Sequence, residues 1–197
     1  MTDLPALKGE IERRIGRNLL LYQQIEMDLK WLDRFSRVSG TISELPEKLA
    51  EAHKRSKGNP MGGAITRFLK QAESKLSHQP ADLKEDALHL ELHWSIEESE
   101  LSRQDRKKRI ERVRDDRNEL AHGLLSAYDL ASHRGCECLL GRLESAHESA
   151  LRVARELEGI RATAELVVRA LKVPEFRELI ADPQAGQPDR VRISGDA

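Results

Sequence analysis

Cysteine, long apolar runs and net charge are all scarce in this sequence of 197 residues. The only cysteines are Cys136 and Cys138, too few for a disulfide framework, and no second cysteine pair or histidine pair stands near them to complete a zinc site. No apolar run approaches the length of a membrane-spanning helix, and the N-terminus has no hydrophobic signal core. We therefore expect a cytoplasmic protein that uses no membrane, no metal and no cofactor.

The net charge of -1 argues against a protein that binds polyanions over its whole surface, so any affinity for nucleic acid must come from a local basic patch. Charged residues make up 34% of the chain and hydrophobic residues 39%. Because the hydrophobic residues recur at helical spacing, this composition indicates a folded protein rather than a disordered one. A chain of this length can bury a core, and one domain is the default expectation.

Helical periodicity runs through every well-patterned segment of the sequence. In the first long helix, one buried face is predicted for the residues spaced by three and four: Ile15, Leu19, Tyr22, Ile25, Leu29 and Leu32. The predicted helices cover residues 5–38, 42–53, 64–77, a segment beginning at Asp82 as N-cap, 102–125 and 132–171. A loop is predicted over 54–63, where glycine, proline and asparagine would break a helix.

No stretch alternates between apolar and polar residues for long enough to predict a strand. We therefore predict an all-α fold, a helical bundle with two long helices and several shorter ones. It would form a single domain over residues 1–181. A flexible tail is predicted over 182–197, where proline, glycine, glutamine and charged residues dominate.

A run of basic residues lies on the fifth predicted helix. Its members between positions 103 and 117 are Arg103, Arg106, Lys107, Lys108, Arg109, Arg112, Arg114 and Arg117, and the acids among them are Asp105, Glu111, Asp115 and Asp116. Such a stripe attracts a nucleic-acid backbone, and we assign Arg106, Arg109, Arg112 and Arg114 to RNA binding. The alternative is a solvated face with ion pairs between residues four apart, the usual role of a charge run on an amphipathic helix.

The hexapeptide at the end of this helix, residues 117–122, is the most informative motif in the chain. Arg117 completes the three-four spacing of the apolar residues around it, so it is expected near the middle of the apolar stripe formed by Ile110, Val113, Leu120 and Leu124. A charged side chain there needs a carboxylate, a phosphate or a partner surface. Asn118 and His122 are neighbours on one face, and Gly123 predicts that the helix frays or ends directly after the histidine.

An arginine, an amide and an imidazole can together hold and cut a phosphodiester without a metal. Arg117 can clamp two phosphate oxygens and stabilise the extra negative charge of the transition state. His122 can take the proton from a ribose 2′-hydroxyl or donate one to the leaving oxygen, since histidine exchanges protons near neutral pH. Asn118 can orient the phosphate or the histidine. Attack by a 2′-hydroxyl requires RNA and leaves a cyclic phosphate end.

Residues 114–123 resemble the motif of the HEPN superfamily, in which an arginine and a polar residue are followed, after a short spacer, by a histidine at a helix end. Residues 17–30 also resemble the opening helix of that family. The resemblance implies a helical bundle and a metal-independent RNase of toxin–antitoxin, abortive-infection or RNA-processing systems. It further implies that Arg117, Asn118 and His122 are the catalytic residues, and that two copies of the chain form one composite site.

Three further residues are candidates for a supporting role. Glu26 and Lys30 are four residues apart in the orientation that favours an ordinary helix ion pair, and they could instead hold Arg117. Glu119 lies inside the hexapeptide itself.

A second match to the bare spacing lies on the last helix and serves as an internal control. Arg142 and His147 repeat the spacing of Arg117 and His122, but Leu143 replaces the polar residue and no basic stripe precedes the pair. We interpret this second match as coincidence.

The motif predicts a metal-independent endoribonuclease that acts on RNA. The resemblance to the HEPN superfamily implies in addition a homodimer, a role as a toxin or phage-defence effector, and an antitoxin or another protein as partner. The alternative is a non-catalytic helical module in which Arg117 pairs with an acid inside the bundle and the basic stripe binds RNA or protein without cutting. A plain dimeric scaffold is a third interpretation. Location distinguishes them, because a catalytic His122 should face open space near a second copy, whereas a structural one should be packed.

Overall fold

Five α-helices and one small antiparallel sheet make up the part of the protein that the computed structural model describes, residues 3–35, 38–41, 44–58, 60–74, 89–92 and 94–170. In chain order the elements are α1 (Leu4–Asp33), β1 (Val38–Thr41), α2 (Leu45–Lys57), α3 (Met61–Ala72), β2 (His89–Leu92), α4 (Glu100–His122) and α5 (His133–Ala170). The two long helices have 30 residues in α1 and 38 in α5. The prediction of an all-α helical bundle is confirmed.

The start of α1 is fixed by its sequence. The Asp3 carboxylate accepts a hydrogen bond from the backbone N–H of Ala6 at 2.9 Å, and Pro5 stands in the first turn, where the helix offers N–H groups no internal partner. Most of the predicted apolar face is buried, but the prediction for Leu19 is wrong. Leu19 is 38% exposed, and its neighbour Asn18 is buried at 1%. The face of α1 that points inward is therefore partly polar.

A small two-stranded sheet accompanies the helices and was not predicted from the sequence. β1 and β2 pair in antiparallel register, with Val38 opposite Leu92 and Thr41 opposite His89. Each strand has four residues, too few for an alternating pattern to be recognised. The predicted first helix is therefore wrong at its end, since α1 ends at Asp33 and Val38 belongs to a strand. The predicted N-cap at Asp82 lies outside the described residues.

The predicted loop over 54–63 is shorter in the structure, because α2 continues to Lys57 and α3 begins at Met61. The basic segment over 54–57 is therefore the last turn of a helix rather than a loop. Ser56 within this turn is buried. Contacts of α3 with α1 and with Trp94 hold it in the fold. Arg67 pairs with Asp33 of α1 at 2.8 Å, and the ring of Phe68 lies 5.3 Å from that of Trp94.

α1 and α5 run parallel to each other. Arg14 near the start of α1 pairs with Glu144 at 2.7 Å, and Asp28 near its end pairs with Arg161 at 2.8 Å. Residues that lie later in α1 thus meet residues that lie later in α5. Near the starts of the two helices, apolar residues pack in a buried cluster formed by Leu7, Ile11, Leu124, Cys136, Leu139 and Leu143.

α4 and α5 form an antiparallel pair joined by a compact connection. A short 3-10 helix, Leu124–Ala127, follows α4, and the backbone N–H of Ser132 then bonds to the carbonyl of Asp129. Gly135 in the first turn of α5 has no side chain to obstruct this turn, since a Cβ atom there would lie 2.0 Å from the Asp129 oxygen. The hairpin brings the end of α4 beside the first half of α5.

Internal contacts group Met1–Arg161 into one compact unit and Ala162–Ala197 into a second, of which residues 162–170 are described. The predicted domain end at 181 and the predicted tail from 182 lie outside the described residues. None of the described helices combines the length and the apolar character that a membrane crossing requires.

Candidate functional site

The hexapeptide forms the last part of α4. The helix ends at His122, as Gly123 predicts, and does not reach residue 125. The backbone N–H of Gly123 donates to the carbonyl of Glu119 at 2.9 Å and closes the final turn. Asn118 and His122 are both exposed, and Arg117 is partly exposed. The three predicted catalytic side chains are therefore presented on the surface rather than packed inside the bundle.

Arg117 differs from every other arginine of α4 in the partner it has. Its Nη1 donates to the side-chain oxygen of Asn118 at 3.2 Å, and it takes part in no ion pair among the described residues. Arg103, Arg106, Arg109, Arg112 and Arg114 each lie within 4 Å of a carboxylate oxygen. A guanidinium with only a neutral partner keeps its capacity to bind an anion.

The buried polar position of α4 is Asp116 rather than Arg117. Ile110 and Val113 are buried as predicted, and Asp116 follows them on the same inward face, where Arg117 was expected. One Asp116 oxygen accepts a hydrogen bond from Arg142 of α5 at 2.6 Å, which turns this part of α4 toward α5. The expectation that Arg117 lies near the middle of the apolar stripe is therefore wrong, and its guanidinium lies to one side.

Arg142 holds two residues of α4 at once. Its Nη2 donates to Asp116 at 2.6 Å and to Glu119 at 2.5 Å. Burial alone would lower the pKa of Arg142, but the hydrogen bonds to these two carboxylates outweigh burial and raise the pKa above its ordinary value. Nearby, burial and then the negative charge of Asp116 raise the pKa of Tyr22 to about 12.

The predicted RNA-binding arginines do not lie on one open surface. Arg106 is 2% exposed and pairs with Glu98 at 2.5 Å, so its charge is used inside the fold and its assignment to RNA binding is wrong. Arg109 pairs with Glu156 at 3.2 Å. Arg112 and Arg114 have acidic neighbours on their own helix. These three arginines remain accessible, but each would exchange a carboxylate for a phosphate on binding.

The predicted supporting residues have separate roles. Glu26 and Lys30 pair with each other at 2.7 Å and are both partly buried, and no ion pair joins either one to Arg117. Their arrangement is that of an ordinary pair between residues four apart on one helix. Glu119 is held by Arg142.

The control match on α5 has a structural explanation. Asn18 donates from its amide nitrogen to the carbonyl of Leu143 at 2.9 Å, so its oxygen is the atom that lies 3.0 Å from Nδ1 of His147. Nδ1 therefore carries the hydrogen and donates it to Asn18. Burial, followed by the positive charge of Arg17, lowers the pKa of His147. His147 thus serves to satisfy a buried amide.

Cys136 is buried and Cys138 is exposed, and neither forms a disulfide. Within the described ranges, no group of three or more histidine, cysteine or acidic residues is arranged to hold a metal ion.

The residues that sequence reasoning missed are Asn18, Asp116 and Arg142, which meet where α1, α4 and α5 come together. Together with Tyr22, Glu119 and apolar neighbours they line a small cavity. The spacing of Asp116 and Glu119 places both acids on one face of α4 and was the only local sign of this contact. Comparison of the chain with models of known protein families, with curated proteins and with solved structures finds no match.

Proposed function

We propose that this protein is a metal-independent endoribonuclease in which Arg117, Asn118 and His122 act on the scissile phosphate. The observation that carries the proposal is the state of Arg117. It has no carboxylate partner among the described residues, on a helix whose other arginines each have one, and it bonds to the amide of Asn118. A structural arginine would be expected to pair with an acid. An arginine that binds phosphate is expected to leave its guanidinium available.

The proposed reaction needs only groups of the protein and of RNA. His122 takes the proton from the ribose 2′-hydroxyl, and the 2′-oxygen attacks the adjacent phosphorus. The bond from phosphorus to the 5′-oxygen of the next nucleotide breaks, and that oxygen takes up a proton from an imidazolium or from water. Arg117 stabilises the added negative charge on the phosphate oxygens. The products are a 2′,3′-cyclic phosphate and a 5′-hydroxyl.

The exposure of the site supports a homodimer. Asn118 and His122 stand on open surface of a single chain, whereas phosphoryl chemistry is favoured where water is excluded. Leu125, three residues after His122, is 50% exposed and offers an apolar contact beside the motif. Two copies that meet here would enclose two motifs in one site, as the HEPN resemblance implies. A role as a toxin or phage-defence effector, an antitoxin partner and a cytoplasmic location belong to the same proposal.

One set of observations favours a non-catalytic alternative, a helical module that binds protein or RNA. The accessible arginines of the basic stripe are engaged by acids, and α1 exposes the apolar side chains of Leu20 and Met27. Such a module would bind its partner through these surfaces and leave RNA intact.

Cleavage of RNA in the presence of EDTA tests the two functions against each other. The purified chain is incubated with mixed RNA and, separately, with DNA of the same sequences, and the product ends are identified. The proposal expects RNA fragments with 2′,3′-cyclic phosphate ends and intact DNA. Binding without cleavage, or cleavage that requires a divalent metal, would replace the proposal with the binding module or with another mechanism.

A further inference from the structure

We infer that Arg142 is a positioning residue of the proposed site, which fixes the turn of α4 that presents Arg117, Asn118 and His122. The inference rests on the proposed function for its catalytic meaning. Its structural content rests on two hydrogen bonds, from Arg142 Nη2 to Asp116 at 2.6 Å and to Glu119 at 2.5 Å.

The two carboxylates that Arg142 holds directly flank the two proposed phosphate-binding residues. Asp116 precedes Arg117, and Glu119 follows Asn118. Because Asp116 and Glu119 lie three residues apart, they point to the same side of the helix. A single guanidinium that bonds both fixes the rotation of this turn about the helix axis. The same rotation sets the direction in which Arg117 and Asn118 face.

The end of a helix needs such support. The last turn of an α-helix has carbonyl groups without partners in the helix and frays easily. Here Glu119 is the residue whose carbonyl closes the final turn with Gly123, and its side chain is the one that Arg142 holds. The positive charge of Arg142 also lies close to the negative end of the α4 dipole, where a cation is favourable. His122 belongs to this last turn.

A contact with α1 holds the α5 backbone next to Arg142. The next residue, Leu143, is 1% exposed in the core, and its carbonyl accepts the hydrogen bond from Asn18 of α1. The hydrogen bond from Asn18 therefore fixes the backbone of α5 directly beside Arg142.

Catalytic groups that are displaced by about 1 Å can lose on the order of 100-fold in rate. Substitution of Arg142 should therefore reduce kcat, by on the order of 10- to 100-fold, while KM changes little because Arg142 does not touch the substrate. Arg142→Gln removes the charge, and Arg142→Lys keeps the charge but replaces the planar guanidinium with a compact ammonium group. The lysine variant should recover part of the lost kcat.

The matched control is Glu144→Gln. Glu144 lies two residues away on α5 and bonds Arg14 and Arg17 of α1, so its loss breaks a bridge between α1 and α5 without touching α4. The control should retain kcat. Arg142→Gln leaves the buried Asp116 without this partner. Two further variants test the same clamp without leaving an unpaired buried charge. They are the double variant Asp116→Asn with Arg142→Gln, and the milder Glu119→Gln.

Two readouts separate this inference from the proposed function. The first is kcat and KM for RNA cleavage, and the second is the hydrogen-exchange rate of the backbone amides of 119–123, which requires no activity. A loss of kcat with faster exchange in the Arg142 variants, and neither change in Glu144→Gln, supports the clamp. If exchange at 119–123 is the same in the Arg142 variants as in the parent, the inference is overturned. It is also overturned if the parent cleaves RNA and the Arg142 variants have the same kcat. If the parent cuts no RNA, the proposed function fails, and exchange alone decides whether Arg142 holds the turn.

Discussion

At the scale of single residues, His122 and His147 differ in what their rings contact. His122 is exposed at the end of α4, while His147 donates to the buried amide of Asn18. We expect His122→Ala to lower the rate of RNA cleavage by on the order of 100- to 10,000-fold, because the proton-transfer group is lost. The measurement is kcat on a defined RNA at constant pH.

The control for this experiment is His147→Ala, which should keep the rate of cleavage and lose stability by about 1–3 kcal/mol, because the buried oxygen of Asn18 loses its partner. Equal activity of His122→Ala and the parent protein would contradict the proposed mechanism.

Arg117 and Arg109 form a second matched pair on one helix. Arg117 has only the amide of Asn118 as partner, and Arg109 pairs with Glu156 of α5. We expect Arg117→Ala to reduce cleavage by on the order of 100-fold or more, because it removes stabilisation of the transition state. Arg109→Ala should instead weaken RNA binding and reduce its dependence on salt. Binding titrations at several salt concentrations, combined with single-turnover rates, distinguish the two effects.

Tyr22 predicts how stability responds to alkaline pH. Its pKa is about 12 in the folded protein, whereas a tyrosine in an unfolded chain titrates near pH 10. Between these values the unfolded chain releases the proton and the folded protein keeps it. The stability that this group contributes is therefore complete below about pH 10 and is lost as the pH rises through about 12.

Urea unfolding of the parent and of Tyr22→Phe, from pH 8 to pH 12, measures this contribution. The parent should lose on the order of 1–3 kcal/mol more than the variant over the alkaline part of the range. Identical alkaline losses would show that Tyr22 is not held in its protonated form.

At the scale of the element, the rotation of α1 about its axis can be tested with two adjacent residues. Periodicity alone predicts that Leu19 is buried. In the structure Asn18 is buried and Leu19 is partly exposed. We expect Asn18→Ala to cost on the order of 1–3 kcal/mol, because it removes the bonds to the Leu143 carbonyl and to His147. Leu19→Ala should cost less than about 1 kcal/mol. A reversed order in the free energies of unfolding would mean that the helix presents the other face.

The existence of the helices could be read from the sequence, but the polar positions on their buried faces could not. On α1 the prediction took Leu19 where the structure has Asn18, and on α4 it took Arg117 where the structure has Asp116. In each helix the predicted buried position is displaced by one residue, and both positions lie at the contact with α5. A periodicity argument assumes that buried positions are apolar, and it fails where polar side chains satisfy one another across helices.

The candidate site was predictable to the extent that it is local. The hexapeptide and the end of its helix at Gly123 are contiguous in the sequence, so residue type and spacing were enough to find them. Arg142 comes from a different helix, and nothing in the spacing around it indicates that it contacts Asp116 and Glu119. The strands were missed for the same reason, because β1 and β2 meet only through pairing between distant segments.

At the scale of the whole molecule, the proposed homodimer should place the ends of α4 from two chains close together. Light scattering at micromolar concentration should give the mass of a dimer. Cross-linking then locates the interface, through Leu125→Cys in a Cys138→Ser background. The natural Cys136 is buried and should not react. Oxidation should link two chains through residue 125.

The matched control for cross-linking is Leu101→Cys in the same background. Leu101 is 77% exposed and lies at the other end of α4, roughly 35 Å away for a helix of this length. It should not form a link between chains. A monomeric mass, or equal linking at both ends of α4, would contradict a dimer centred on the motif.

The parallel arrangement of α1 and α5 has a consequence for the order of events during synthesis. Arg14 and its partner Glu144 are 130 residues apart in the chain, so α1 leaves the ribosome on the order of 10 seconds before the part of α5 that covers it. During that interval its apolar side chains, such as Leu7 and Ile11, have no helix α5 to pack against. The hairpin of α4 and α5 can form by local contacts alone, whereas the closing of α1 against α5 must pay the entropy of a long loop. The nascent chain should therefore be a substrate for chaperones until α5 is complete.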